Sequence, residues 1–447
     1  MNLDCLIIYE HRTRELENAC LLAEELERRG YKTSIQNTYC LKKYFLNPRV
    51  IVTPHLYNDN QVISLAKNIK GGCNSIVDLQ YEQVLSENTK NDIHTPKGEA
   101  VFAQHVAWGN AQEKAYLDGG IPSKNIHITG HMAMDFLKPE FKNYYFSKEE
   151  IAKRFKLNPA KKWVLFLSSF SYVNRSESEM EKLSLMSSTA REFQSVSEES
   201  FRSVMDWLKC AAEYYPEYIF IYRKHPAEKD NPYLHKVESA IPNFRCINAY
   251  SVRQWILLAD KIYTWFSTSI VDAFFAGREC YILRPNPIPR KLDGALFIGA
   301  SIITRQDDFN RSIQEKQHEF PISSESIEYY YGNNAEGFAF SRVADVCEKM
   351  INGIIESHNY SFGTSRIDMH NNKRVSIILK DYLYALVFEL SKIINLSKVL
   401  SPIPFIKKEK KQILAMYATE GFRVEKEIKL YRNKIRQMLA SISKESK

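Results

Sequence analysis

The sequence predicts an α/β protein of two doubly wound, Rossmann-like domains followed by a helical extension. Three observations carry that reading. Short apolar runs alternate with stretches of helical period from Leu3 to Leu283. A chain of 447 residues is longer than one ordinary core organises. Two of the apolar runs end in compact polar loops, Arg223-Lys224-His225-Pro226 and Ser267-Thr268-Ser269, of the sort found beyond the carboxyl ends of parallel strands.

Taken in order, residues 3–9 read as a strand and 15–29 as an amphipathic helix stopped by Gly30, with a second strand at 33–36. Further short apolar runs lie at 50–53, 75–79, 100–103 and 126–129. These make an N-terminal acceptor domain over residues 1–145. A charged helix at 148–155 then leads into the strand 163–167 and the loop Ser168-Ser169-Phe170. Residues 172–200 are rich in Ser and Glu without clear period and read as a long loop able to shape an acceptor site. Helix 201–214, strands 218–222 and 244–248, helix 252–259, strand 261–266, helix 269–276 and strand 280–283 complete a donor domain, whose span of 146–355 includes a helix at 339–351. The extension, 356–447, opens with an apolar-rich helix at 375–394. Lys380, Asp381, Glu389 and Lys392 interrupt that helix, so it is packed or interfacial rather than spanning.

Charge is distributed unevenly. Residues 398–447 hold 13 Lys or Arg against 5 Asp or Glu, whereas the preceding 397 residues hold 48 of each. After Pro402 and Pro404 the tail is amphipathic, with Ile428, Tyr431, Ile435 and Leu439 at helical spacing opposite Lys429, Arg432 and Arg436. It reads either as a solvated face or as a contact with an anionic membrane surface, where each basic residue contributes about 1 kcal/mol. Confined to one tail, and without a reading motif, the basic excess argues against nucleic acid as a partner. The first residues enter a strand directly, so no signal peptide is expected. No stretch of 18 residues is free of charge. The eight cysteines are dispersed and lack Cys-x-x-Cys spacing, which suggests buried free thiols in a reducing compartment. The expected place is the cytoplasm, on the inner face of the plasma membrane.

The strand-end loops carry the candidate chemistry. His225 donates to a phosphate oxygen, Arg223 and Lys224 add positive charge, and Pro226 fixes the chain and removes a competing N–H. Alternatively, His225-Pro226 is a rigid turn. Ser267, Thr268 and Ser269 stand where a helix begins, so their hydroxyls serve either a ligand or a cap. Asp272, one turn on, accepts from a ribose or serves the helix dipole. Ser168 and Ser169 occupy the place where a nucleotide or acceptor meets the first strand of such a domain. In the N-terminal domain, Asp78 and Glu82 close a strand end facing the presumed cleft, and one of them is a candidate general base or nucleophile. His55, His94, His105, His127 and His131 lack metal-ligand spacing, and no Asp-x-Asp motif occurs. The absence of a P-loop, of Gly-x-Gly-x-x-Gly and of Gly-x-Ser-x-Gly disfavours an ATPase, a nicotinamide enzyme and a serine hydrolase.

Two doubly wound domains facing one another, with the donor loops in the second, resemble the GT-B glycosyltransferase architecture. Within it, Lys224-His225-Pro226 and Ser267-Thr268-Ser269 resemble the HP and SS motifs of bacterial enzymes that use CMP-activated sugars, the sialyltransferases and capsule Kdo transferases. Gly130-His131-Met132-Ala133-Met134-Asp135-Phe136 is similar to their Gly-Asn-Pro-Arg-x-Asp turn, with Met132 and Met134 in place of Pro and Arg. The segment 163–174, followed by Arg223-Lys224-His225-Pro226-Ala227-Glu228, is similar to bacterial surface-carbohydrate biosynthesis proteins of that group. Lys224 stands where Pro often precedes the histidine.

The resemblance spans residues 75–290 and implies that His225, Ser267, Thr268 and Ser269 bind the CMP phosphate. It implies further that Glu82 or Asp78 acts on acceptor or donor. The donor is then a CMP-linked Kdo-like or nonulosonic sugar, used without metal or other cofactor, and the acceptor a surface polysaccharide or lipid-linked glycan. An acid that deprotonates the acceptor inverts the anomeric centre; one that attacks the sugar retains it. Two alternatives stand beside this: a CDP-polyol phosphotransferase of teichoic-acid type, for which His105 is the weak candidate base, and a non-catalytic glycan assembly protein docked on a membrane by its tail.

Overall fold

The computed structural model describes residues 2–66, 69–70, 72–83, 94–332, 336–362, 384–394, 396, 414 and 418–445. The chain forms two compact units, one from residues 1–83, 92–135 and 328–447, the other from 84–91 and 136–327. Each is built on a six-stranded, wholly parallel sheet, the α/β class that the alternating pattern predicts.

The first sheet runs in the order β2-β1-β3-β4-β5-β6. Its strands are β1 (Asn2–Tyr9), β2 (Thr33–Asn37), β3 (Asn47–Thr53), β4 (Ile76–Asp78), β5 (Gln104–Ala107) and β6 (Ile126–Ile128). Buried on both faces, β1 and β3 read as continuous aliphatic runs rather than alternating ones; Leu6, Ile7, Val50, Ile51 and Val52 are fully enclosed. Of residues 100–103, expected to be a strand, the first three belong to the 3-10 turn Gly98–Phe102, Ala103 caps it, and the strand begins at Gln104.

In the second sheet the order is β12-β11-β10-β7-β8-β9. It comprises β7 (Lys162–Leu167), β8 (Tyr218–Arg223), β9 (Phe244–Cys246), β10 (Lys261–Thr264), β11 (Cys280–Leu283) and β12 (Ile302–Ile303). An aromatic core of Phe166, Phe170, Phe220, Tyr222, Tyr263 and Trp265 packs beneath it.

The segment 172–200 is largely helical rather than a long loop. Helix Glu177–Met186 starts at a capping box formed by Ser176 and Glu179, and helix Ala190–Tyr214 absorbs the next stretch. Its early apolar stripe is masked in the sequence because Ser197 and Ser200 fill fully buried positions between Phe193 and Phe201, and Ser197 Oγ donates to the Phe193 carbonyl at 2.6 Å.

Helix Ala339–Ile351, assigned by pattern to the donor domain, instead belongs to the first unit. Phe340 N–H donates to the enclosed Asp135 at 2.8 Å, and Arg29 of helix α1 (Arg12–Arg28 and its cap) reaches Asp345 at 2.6 Å and Glu348 at 2.8 Å. The basic tail is docked too. In helix Val424–Glu445, Ile435 and Leu439 are buried, while Arg432 and Arg436 pair with Glu24 and Glu27 of α1. Those two arginines therefore neutralise the protein's own acids, unlike the outward basic face the sequence suggests. Residues 375–383 of the expected helix 375–394, and residues 397–413, lie outside the described residues. Among the described residues no helix is long and apolar enough to cross a membrane. All eight cysteines are free, with Cys210 exposed and Cys246 half-buried rather than enclosed.

Candidate functional site

Register places the loops of the second unit. Leu167 pairs with Arg223 on one side and with Thr264 on the other, so β8, β7 and β10 end in one row. Neighbouring parallel strands lie about 4.8 Å apart. The loops from Ser168, Lys224 and Ser267 consequently leave the sheet side by side, at the point where strand order reverses on either side of β7.

The His-Pro loop is held from below by Glu228. Its carboxylate accepts from the Ser168 hydroxyl, from Tyr222 Oη at 2.9 Å and from the His225 N–H at 3.2 Å. Burial raises the Glu228 pKa even against these three donors. Tyr222 is enclosed and also lies 2.8 Å from Ser168 Oγ. Ser168 and Glu228 thus tie two loops together, which makes both positioning groups.

His225 is exposed, and its Nδ1 accepts the Ala227 N–H at 3.1 Å. In the neutral ring the proton then sits on Nε2. Desolvation, and then the Arg175 guanidinium, hold its pKa below the ordinary histidine value, so the neutral donor form prevails at pH 7. Arg223 donates to the Ala249 carbonyl at 3.0 Å and to the Tyr250 carbonyl. Among the described residues no carboxylate pairs with it, and burial lowers its pKa to about 10. A half-buried cation without a counter-charge is an anion site in waiting. Lys224, by contrast, is paired with Asp230 at 2.9 Å. Pro226 is exposed in the turn that follows.

On the β10 side, Thr264 Oγ1 accepts the Ser267 N–H at 3.0 Å and Ser267 Oγ accepts the Ser269 N–H at 3.3 Å. Thr268 is exposed, Ser267 and Ser269 are half-buried, and Ser269 makes no side-chain cap on helix Ile270–Phe275. Ser169 Oγ is buried and has no hydrogen-bond partner among the described residues. Asp272 is closed off: it is 6% exposed and bound to Arg253 at 2.9 Å. It braces two helices and is not open to a ribose.

In the first unit, Asp78 and Glu82 part company. Asp78 is fully enclosed, accepting from the Gln80 N–H at 3.1 Å and lying 3.0 Å from His105 Nδ1, whose Nε2 meets the Ala100 carbonyl. That pair is structural, and it removes both Asp78 and His105 from solvent. Glu82 reaches the surface, bound to Arg14 at 2.9 Å and 3.4 Å from His94 Nδ1. Partial burial works to raise its pKa, but the Arg14 hydrogen bond and charge, then His94 and His55, outweigh it and lower the pKa overall.

Two histidines passed over in the sequence stand with Glu82. His94 Nδ1 is 3.3 Å from Tyr57 Oη, Tyr57 stacks on His55 at 5.0 Å, and His55 Nδ1 is 3.5 Å from Glu10. Glu10 follows β1 and His55 follows β3, the two strands between which order reverses in this sheet. The strand-end rule applied to Thr53-Pro54-His55 would have found them. Gln80 beside them holds a left-handed backbone, φ 40°, although it carries a side chain. His131 is stacked on Trp108 at 3.8 Å inside the first unit, so the Gly130–Phe136 segment packs rather than opens. No cluster of metal-ligating side chains occurs among the described residues.

No family model and no curated protein matches the chain. Among solved structures, the Wall Teichoic Acid Polymerase TagF aligns with a TM-score of 0.50 and 12% identity over 79% of this chain and 90% of that one. The S. aureus MnaA–UDP co-structure aligns at 0.48 and 14% identity, over 81% and 100%. The likeness to the polymerase is one of fold: this chain is a pair of doubly wound units of GT-B type.

Proposed function

We propose that the protein is a glycosyltransferase that moves a Kdo-like or nonulosonic sugar from a CMP-activated donor to a surface polysaccharide or lipid-linked glycan. The observation that carries this is a neutral His225, proton on Nε2, two residues beyond the uncompensated guanidinium of Arg223 at the carboxyl end of β8. A CMP-ulosonate brings its own carboxylate and leaves as CMP. One phosphate then has to be neutralised, and a histidine N–H, a guanidinium and the hydroxyls of Ser267, Thr268 and Ser269 supply that without a metal or other cofactor.

Glu82 serves best as the acid of the first unit, ionised throughout the neutral range because its pKa is lowered. With His94 it would accept the proton of the acceptor hydroxyl. A CDP-polyol phosphotransferase of teichoic-acid type is the second reading, favoured by the polymerase's fold and by the imidazoles of His55 and His94 beside carboxylates.

Calorimetric titration with CMP, CDP, UDP and GDP, repeated on His225→Ala, tests the assignment. Tightest binding of CMP, lost in the variant, is expected. Preference for CDP moves the assignment to the phosphotransferase. Preference for UDP or GDP discards the ulosonate donor, and absence of binding to all four sinks both enzyme readings.

A further inference from the structure

Two side chains tie the loop after β7 to the His-Pro turn. One is Ser168, through Glu228. The other is Arg175, whose Nε donates to the Ser171 carbonyl at 2.6 Å across a turn that Asn174 closes in the left-handed conformation, φ 58°. Its Nη2 donates to the Ala227 carbonyl at 2.7 Å. One guanidinium thus spans the backbone of both loops.

Ala227 is the residue that seats the imidazole. Its N–H donates to His225 Nδ1 at 3.1 Å. The peptide that follows it is pinned at both ends, its carbonyl on Arg175 and the Glu228 N–H on the His225 carbonyl at 2.9 Å. Hydrogen bonds in such a chain polarise one another, so a cation at one end tightens the rest. With a side chain 18% exposed, Arg175 is not a solvated surface group. Its carboxylate contact, Glu179 at 3.4 Å, is shared with Lys229 at 2.5 Å and with the Ser176 N–H at 3.0 Å. The guanidinium charge therefore remains felt at the imidazole.

We propose that Arg175 is a positioning residue of the phosphate site: by holding Ala227 it fixes the His225 ring on Nδ1 and leaves Nε2–H for a phosphate oxygen. The role rests on His225 as phosphate donor and adds a second loop to its control. The other charges around the turn are engaged elsewhere. Glu228 accepts the His225 backbone N–H rather than the ring, Lys224 and His235 are on Asp230, Lys229 is on Glu179, and Arg223 is turned onto the Ala249 and Tyr250 carbonyls. Burial, then the Arg175 charge, holds the His225 pKa below its ordinary 6.5, so removing that charge lets the ring take up a proton at higher pH.

Long-range proton–nitrogen NMR of the full chain without nucleotide reads the ring directly, with His225 assigned by its absence from His225→Ala. The parent should show the Nε2–H tautomer, titrating below 6.5. Arg175→Met should raise that titration toward 6.5, mix the two tautomers and weaken CMP binding by about tenfold, the scale of one charge-assisted hydrogen bond. Arg175→Lys keeps the charge but cannot span both carbonyls, so the low titration should return while the tautomers stay mixed. A parent-like tautomer in both variants overturns the inference. So does a titration shifted equally in both, which would make Arg175 a staple of the loop without influence on the ring. If the ring responds as expected but the parent binds none of CMP, CDP, UDP and GDP, the clamp on His225 stands and the proposed function falls.

Discussion

Glu228 shows how one carboxylate organises a loop. It holds three donors, from the loop after β7, from β8 and from the His-Pro turn, and burial makes its charge costly. Glu228→Gln substitutes an amide that cannot accept all three. Stability should fall by about 1–3 kcal/mol, read as a denaturant midpoint, and affinity for CMP should drop because the His225 ring loses its seat. A variant as stable and as tight as the parent would show that the strut is unimportant. His127 gives a pH signature in the other unit. Burial, then the charge of Lys349, depresses its pKa to about 4, and its Nε2 lies 2.7 Å from the Gln104 amide oxygen. The folded chain prefers the neutral ring, so this contribution is complete above the ordinary pKa near 6.5 and is lost as pH falls through about 4. Urea midpoints should decline between those limits, and His127→Gln should flatten the decline. An equal slope in the variant would exclude His127 as the source. At this scale the sequence revealed what strand ends reveal: His225 and the Ser267–Ser269 hydroxyls stood out because each follows a long apolar run. It could not tell Asp78 from Glu82, since the enclosing partner His105 is 27 residues away in sequence and its burial depends on the sheet.

Elements are legible where their period is clean and opaque where small residues interrupt it. The parallel strands announced themselves as unbroken aliphatic runs. Helix Glu177–Met186 and the first half of Ala190–Tyr214 did not: in the latter Ser197 and Ser200 occupy buried positions, and for the former the Ser176/Glu179 capping box was the usable cue. The C-terminal helix was visible as an amphipathic pattern, but its partner was not. Its docking depends on Glu24, 3% exposed and bound by both Arg432 and Arg436, with Arg12 paired to Glu427 from the other side. Glu24→Leu would leave both arginines without that acid and place an aliphatic group beneath them. The expected result is faster hydrogen exchange across Val424–Glu445, with exchange in the second unit unchanged. Protection equal to the parent's would show that Ile435 and Leu439 hold the helix unaided.

At the scale of the whole molecule, the two units differ in how they are assembled from the chain. The second is continuous over residues 136–327, apart from 84–91, and closes its own six-stranded sheet and aromatic core. The first is incomplete at residue 135. Its α1 needs Asp345 and Glu348 to pair Arg29, Asp135 needs the Phe340 N–H, and Trp108 needs Tyr331, stacked at 5.5 Å, with Gly332 against its carbonyl. Without residues 328–447, Arg29 would keep only Glu25 as a partner acid, Asp135 would lose the Phe340 N–H and Trp108 the Tyr331 ring, and apolar surface of the first unit would be left in water, which a domain of that size tolerates poorly. The fragment 136–327 should therefore fold alone with a single cooperative melt and retain nucleotide binding, since His225, Arg223 and the hydroxyl loop all lie within it. The fragment 1–135 should aggregate, and coexpression with 328–447 should restore a soluble, protected first unit. A cooperative melt from 1–135 alone would mean that the returning segment adorns a finished domain. A molten 136–327 would mean that the donor half depends on its neighbour, and nucleotide affinity would then have to be read only in the intact chain.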